Sequence, residues 1–456
     1  MKLIKPDIAL NPADPFSQDL FNRRSYGESL KNLINRVNDS IVMMLEANWG
    51  EGKSTFLHMW QAQLRLENIK SLYFDAFQND YGNDPFIDLV SEVCEFIDGE
   101  FADTDSIIES NSTIKDSAAV VSKRLFGWAA RVAAEAATVG ALKEVGAKSL
   151  EEGGKSVARD AEDMVSEMVL EKIKMHAAEK NAIIRFKEEL EHLGELIKGV
   201  QGFPLVIIID ELDRCRPIYA VEVIERIKRF FASRNVVFVL AANSLHMQES
   251  IKMIYGNIDA LSYMKKFVNI ESRLPKGYGY SSVKDYKTYS SHLFDVHEFE
   301  AWVDKAYLVN VSASLGEYLN LSLRELDKVY TNLAIHYASV KSKALNLVPV
   351  IVALAVCKVI SPSTFVKLKN NKISFDEFDD EFSLDGVSEY EYTTNYPSTF
   401  SDCFKVCLYS DAELCEEPPE SKIRTLEVIL REHDIKRRNV IPWYCASMEV
   451  FDFVQT

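Results

Sequence analysis

The stretch Ile41–Trp60, IVMMLEANWGEGKSTFLHMW, narrows the possible folds more than any other part of the chain. It opens with an apolar run, Ile41 to Leu45, long enough for a buried strand. It then passes through a glycine-containing loop and resumes with Phe56, Leu57 and Trp60 at helical spacing. Strand, glycine loop and helix in that order suit a site for phosphates. The glycines let the loop curl so that backbone N–H groups converge, and the helix N-terminus adds partial positive charge. The cradle runs over Ala47, Asn48, Trp49, Gly50, Glu51, Gly52, Lys53, Ser54 and Thr55. Lys53 is placed to reach the β- and γ-phosphates and the Ser54 hydroxyl to ligand Mg²⁺. Ala47 stands where the strict pattern has glycine, so this stretch alone also admits a glycine turn beside an exposed lysine.

Residues 205–217, LVIIIDELDRCRP, supply a second motif. Five apolar residues, Leu205 to Ile209, end in Asp210-Glu211, the pattern of a fully buried parallel strand whose carboxyl end faces a ligand. Asp210 is expected to hold Mg²⁺ through water and Glu211 to polarise the attacking water, the two tasks phosphoryl transfer sets for acids. The plainer alternative is a strand capped by acids that merely face solvent.

Together these residues resemble the KAP family of P-loop NTPases. Asp19-Leu20-Phe21-Asn22-Arg23 is similar to the family's lead-in segment and Asn48–Ser54 to its W-G-x-G-K-S loop. Tyr73–Phe77 followed by Asp84-Pro85 is similar to its second strand, with Phe77 where Trp is usual, and Leu212-Asp213-Arg214-Cys215 continues the Walker B strand in the family manner. Val237–Ala242, Tyr255-Gly256, Tyr263–Phe267 and Leu274-Pro275 extend the match, which covers roughly residues 15–100 and 180–360.

The resemblance implies an α/β fold: a P-loop NTPase core with a mostly parallel sheet, a helical insertion between Walker A and Walker B, and a helical C-terminal lid. The expected divisions are 1–40, an N-terminal arm and helix; 41–100, the first part of the core; 101–180, the insertion; 181–275, the second part with Walker B; and 276–456, the lid and C-terminal region. By the same resemblance Asn243, at the end of the strand Val236–Ala242, is a candidate sensor of the γ-phosphate, although relatives often carry Asp there. Arg324 opens a lid helix as a second sensor. Against that stands an arginine paired with Glu325 or Asp327 on a solvated face. Arg214, Arg226 and Arg229 are candidates for an arginine finger, or are simply solvated.

A chain of 456 residues exceeds the usual single-core size, so two or three packed units are expected. With 47% hydrophobic and 27% charged residues it can bury a core. A net charge of −17 argues against broad electrostatic capture of DNA. Seven cysteines do not form a secreted disulfide framework, and Cys403, Cys407 and Cys415 lack a fourth ligand at zinc spacing. The N-terminus has no apolar core of signal-peptide length, so a cytoplasmic location is expected.

Along the chain, residues 1–18 read as an extended arm, Leu20–Val37 as a helix, Leu72–Phe77 as a strand and Pro85–Ile97 as a helix. Family relatives carry transmembrane hairpins where Phe126–Leu150 lies. Here Arg131, Glu135, Lys143 and Glu144 interrupt the run, which favours a helical hairpin packed through small residues over a membrane span. Ile183, Phe186, Leu190, Leu193 and Ile197 form an apolar seam that fits a plain core helix better than a coupling helix. Val221–Phe231 reads as a helix, Ser322 to Glu325 as a capping box and Leu347–Cys357 as a buried helix. Asp376–Glu391 is an acidic edge, and the last forty residues carry no readable motif.

The leading expectation is an ATPase that uses ATP and Mg²⁺ as a conformational switch read by companion proteins of the same gene cluster. A homo-oligomer is a further possibility. The resemblance to bacterial members implies anti-phage defence as the setting. No N-K-x-D guanine-reading motif is present, which favours ATP over GTP. Two rivals belong to other classes: a nucleotide-binding scaffold without turnover, and a nucleic-acid-stimulated motor.

Overall fold

The computed structural model describes residues 2–3, 10–37, 39–82, 84–122, 180–275, 282–342, 344–383 and 400–449. Five strands form one parallel sheet: β1 (Ile41–Glu46), β2 (Ser71–Asp75), β3 (Leu205–Asp210), β4 (Val236–Ala242) and β5 (Ile270–Arg273). Their order is β2-β3-β4-β1-β5. β3 and β4 are buried along their whole lengths, which is why both read as unbroken apolar runs.

Alternate residues go to opposite faces of the sheet. Met43, Leu45, Val206, Ile208, Val237 and Val239 share a core with Phe56, Leu57 and Trp60 of the helix Lys53–Leu66. Val42, Met44, Ile207, Ile209, Phe238 and Leu240 share the other with Phe86, Phe186, Phe230 and Phe231. The chain leaves β1 for β2 at one edge, returns through β3 to β4 beside β1, and then crosses to β5 at the other edge. The carboxyl ends of β3, β4 and β1 therefore stand side by side. The crevice above such ends is where an open parallel sheet receives ligands.

Several boundaries differ from the sequence reading for local physical reasons. Residues 10–18 are not an extended arm, because Phe16 is buried against Phe56 at 6.2 Å between ring centroids. The first helix covers Arg24–Asn35. β2 stops at Asp75, whose side chain accepts the Gln78 N–H and caps the short helix Ala76–Asn79. The helix expected over Val221–Phe231 starts at Pro217 and gives way after Arg226 to a wider π turn, Ile227–Phe231. The seam of residues 183–197 lies on a helix over 180–201, with Phe186, Leu190, Leu193 and Ile197 fully buried, as in a plain core helix. A helix also spans 105–122. Phe126–Leu150 lies outside the described residues. Among the described residues no helix is long and apolar enough to cross a membrane.

From residue 282 onward every described element is a helix. Val348–Ile360 is the centre of this region: all ten residues from Val348 to Cys357 are buried. It packs with Leu326, Val329, Tyr330 and Leu333 of the helix Leu323–Ser339 and with Phe404, Ile441 and Tyr444. The last helices, Lys422–Glu432 and Arg437–Met448, close the same core through Leu426, Leu430 and Tyr444. Cys403 and Cys407 are buried in it, and no group of metal-ligating side chains occurs among the described residues. In the acidic stretch Phe375, Phe378 and Phe382 turn one face of a short helix inward, leaving its acids outside.

Candidate functional site

The phosphate loop starts where β1 ends. Gly50 and Gly52 adopt φ of +81° and +79°, values that a side chain would strain. Glu51 folds under the loop. Its Oε2 accepts the Asn48 backbone N–H at 3.1 Å and its Oε1 the Asn48 side-chain amide at 3.3 Å. Lys53, 8% exposed, opens the helix Lys53–Leu66 and turns back to donate to the Ala47 carbonyl at 2.8 Å. Ala47 and Glu51 thus shape the loop from behind, while Asn48, Trp49, Gly50, Gly52, Lys53, Ser54 and Thr55 line a cavity of about 470 Å³.

The two acids after β3 stand at different depths. Asp210 is fully buried and does not line the cavity. Its Oδ2 accepts the Tyr73 hydroxyl at 2.8 Å and its Oδ1 the Glu211 N–H at 2.8 Å. Asp210 thus stands behind the cavity wall, and the acid in direct contact with Ser54 is Glu211, whose Oε1 accepts the Ser54 hydroxyl at 3.2 Å. Glu211 reaches it because its backbone takes φ +60°, a left-handed conformation that costs a non-glycine residue about 1–2 kcal/mol. Desolvation and then the neighbouring Asp210 raise the Glu211 carboxyl above the ordinary value, against the lowering effect of Arg214, with which it forms an ion pair. Of the three arginine-finger candidates only Arg214 lines the cavity. Arg226 stands 3.9 Å from Asp84, and Arg229 lies over the Phe230 ring.

Asn243 caps the helix Ser244–Tyr255, its Oδ1 accepting the Leu245 and His246 N–H groups, and its amide reaches Asn48 Oδ1 at 3.4 Å. It thus sits behind the loop, in touch with it through Asn48. Arg324 comes from the other half of the molecule. It lies in the first turn of the helix Leu323–Ser339, capped by Ser322 and Glu325 in both directions. That turn sits directly on the phosphate loop: a Cβ on Gly50 would stand 2.6 Å from Arg324 Cβ. Arg324 lines the same cavity as Lys53.

Three contributors were not recognised as site residues from the sequence. Asp213 is buried against Lys53 at 3.2 Å, and its position in the run Asp210–Arg214 was the available signal. Arg23, 5% exposed, donates from Nε to the Pro275 carbonyl at 2.9 Å and backs Gly52, whose added Cβ would lie 3.2 Å from the guanidinium. Burial pulls its pKa down to about 10 despite Asp19, Glu51 and Asp285. The far end of the cavity, lined by Leu20, Phe21, Tyr289, His292, Leu323 and Asp327, joins the lead-in segment to the lid. Tyr289 is fixed there by its hydroxyl on Asp327 at 2.8 Å. The cavity is thus polar and cationic at the loop and aromatic at the opposite end.

A family model described as the KAP family P-loop domain matches residues 23–340. No curated protein matches the chain. A solved structure described as that of the Aeropyrum pernix ORC2 protein, in ADPNP-ADP complexes, aligns with a TM-score of 0.36 and 11% identity, over 98% of this chain and 97% of that one.

Proposed function

The chain belongs to the KAP family of P-loop domains, and from that membership we propose that it binds ATP with Mg²⁺ between core and lid and hydrolyses it as a conformational switch. The observation that supports this most is the meeting of four groups at one cavity: the positive-φ glycines, buried Lys53, the Ser54–Glu211 pair and Arg324 of the lid seated on Gly50. A triphosphate needs converging N–H groups, an ammonium and hard oxygen ligands for its cation, and these residues fit that demand. Ser54 directly and Asp210 through water would hold Mg²⁺, which supplies charge neutralisation across the phosphates. Lys53 and the loop N–H groups bind and orient the phosphate chain. Glu211, with its raised proton affinity, is the acid in reach to orient the attacking water. Asp210 acts behind it by fixing the Glu211 backbone.

The base fits the aromatic end, where Phe21, Tyr289 and Leu323 offer apolar surface beside the Asp327 carboxylate. ATP in this orientation touches both halves of the molecule, so hydrolysis changes the contacts of the lid, and companion proteins read that change. Resemblance to bacterial KAP ATPases of phage-defence systems supports such a setting. The ion pair of Arg214 with Glu211 favours a second reading, a scaffold that binds nucleotide while the acid stays engaged.

Two variants separate these readings. Lys53→Ala should lose most nucleotide binding, whereas Glu211→Gln should keep ATP and lose hydrolysis, since the cradle is intact. Calorimetric binding and phosphate release measure the two. Unchanged turnover in Glu211→Gln would remove Glu211 from the mechanism, and ATP binding without turnover in the wild type would leave the scaffold.

A further inference from the structure

One carboxylate oxygen ties together the three loops of the sheet's ligand edge. Asp213 lies on the short turn Leu212–Arg214 after β3, with its side chain 1% exposed. Its Oδ2 receives the Trp49 indole N–H at 2.7 Å, the Asn243 backbone N–H at 2.8 Å and the Lys53 ammonium at 3.2 Å. Trp49 and Lys53 belong to the loop after β1, and Asn243 follows β4. An amide oxygen could accept the two N–H groups equally well. What only a carboxylate adds is charge, and the charge is set against Lys53, the residue that the nucleotide reading assigns to the phosphates.

We propose that Asp213 is a positioning residue that holds Lys53 as a counter-ion and exchanges it with the phosphate chain of the nucleotide. The inference rests on the nucleotide reading above and assigns a role to a residue outside it. Removing one partner of a buried pair leaves the other charge uncompensated, which is costly. An incoming polyanion relieves that cost. Neutralising Asp213 should therefore strengthen nucleotide binding, the opposite of what removing an ordinary structural support would do. The same carboxylate retrieves Lys53 when product leaves, so its charge sets how long product stays.

The test compares wild-type protein, Asp213→Asn and Lys53→Ala in the full chain. A fluorescent ADP analogue is displaced by ADP and by inorganic tripolyphosphate, with Mg²⁺ present. Asp213→Asn keeps an oxygen for Trp49 and Asn243, so it should bind both competitors at least fivefold more tightly than wild type. Product release should slow, lowering kcat and KM together. The gain for tripolyphosphate places the effect at the phosphates, because that ligand has no base. Equal or weaker binding of both competitors by Asp213→Asn, with the wild type binding normally, would overturn this inference alone. Failure of the wild type to bind nucleotide would overturn the nucleotide reading and this inference with it. Should Asp213→Asn not fold, the wild type still decides the matter: exchange of Lys53 must disturb the Trp49 indole bond. MgADP should then change the emission assigned to Trp49 by subtraction of Trp49→Phe. No change on saturation would overturn the exchange.

Discussion

Arg324 is the residue on which the link between the two halves turns. Its first-turn position is fixed by the reciprocal cap of Ser322 and Glu325, and a side chain at Gly50 would collide with Arg324. If its guanidinium senses the γ-phosphate, Arg324→Ala should slow hydrolysis at least tenfold, about 1.4 kcal/mol of transition-state stabilisation. The thermal midpoint without nucleotide should hardly move; phosphate release and calorimetry measure the pair of effects. Wild-type turnover would reduce Arg324 to a surface contact. At this scale the sequence exposed the cradle but not the division among its acids. Asp210 and Glu211 are neighbours in an unremarkable strand end, and which of them faces Ser54 depends on the φ of +60° at Glu211 and on the Tyr73 hydroxyl across the sheet. The Tyr73 partner lies outside residues 205–217, and the sequence of that stretch does not announce a left-handed backbone at a glutamate. Asp213 was overlooked for the same reason, since all three of its donors come from distant loops.

Single elements were more legible. The unbroken apolar runs at Leu205–Ile209 and Val236–Ala242 gave β3 and β4, and the Ser322-x-x-Glu325 pattern marked the start of the helix Leu323–Ser339, because each signal is contained in a few adjacent residues. The insertion of β4 between β1 and β3 is set by long-range pairing that no local pattern carries. The helix Leu323–Ser339 also buries His336, whose ring Nδ1 meets Ser447 Oγ of the last helix at 2.6 Å. Burial pulls this imidazole down to about 4, from an ordinary value near 6.5. Above pH 6.5 the ring is neutral folded or unfolded, and nothing is lost. As pH falls from 6.5 toward 4 the unfolded chain takes up a proton that the folded one refuses, so stability falls. At pH 5 the loss specific to this group is about 2 kcal/mol. Urea unfolding at pH 7 and pH 5 should show that extra loss in the wild type and not in His336→Gln; equal pH dependence would remove His336 as its source.

On the scale of the whole molecule, one cavity spans the parallel-sheet core and the helical lid, cationic at the phosphate loop and aromatic where Phe21 meets Tyr289 at 5.9 Å between ring centroids. A ligand that fills it contacts both halves and stabilises their closed arrangement by its differential affinity for that arrangement. The loop was evident from its glycines and lysine. The closing of residues 322–324 over it was expected only through family resemblance, because about 270 residues separate the two and neither segment encodes the other. Hydrogen exchange in Glu211→Gln protein, with and without ATP and Mg²⁺, tests this account most directly, since the variant should hold ATP without consuming it. The account predicts that backbone amides of residues 48–55 and of 322–327 gain protection together and over the same range of ATP concentration. Protection confined to residues 48–55, or absent from both segments at saturating ATP, would contradict it.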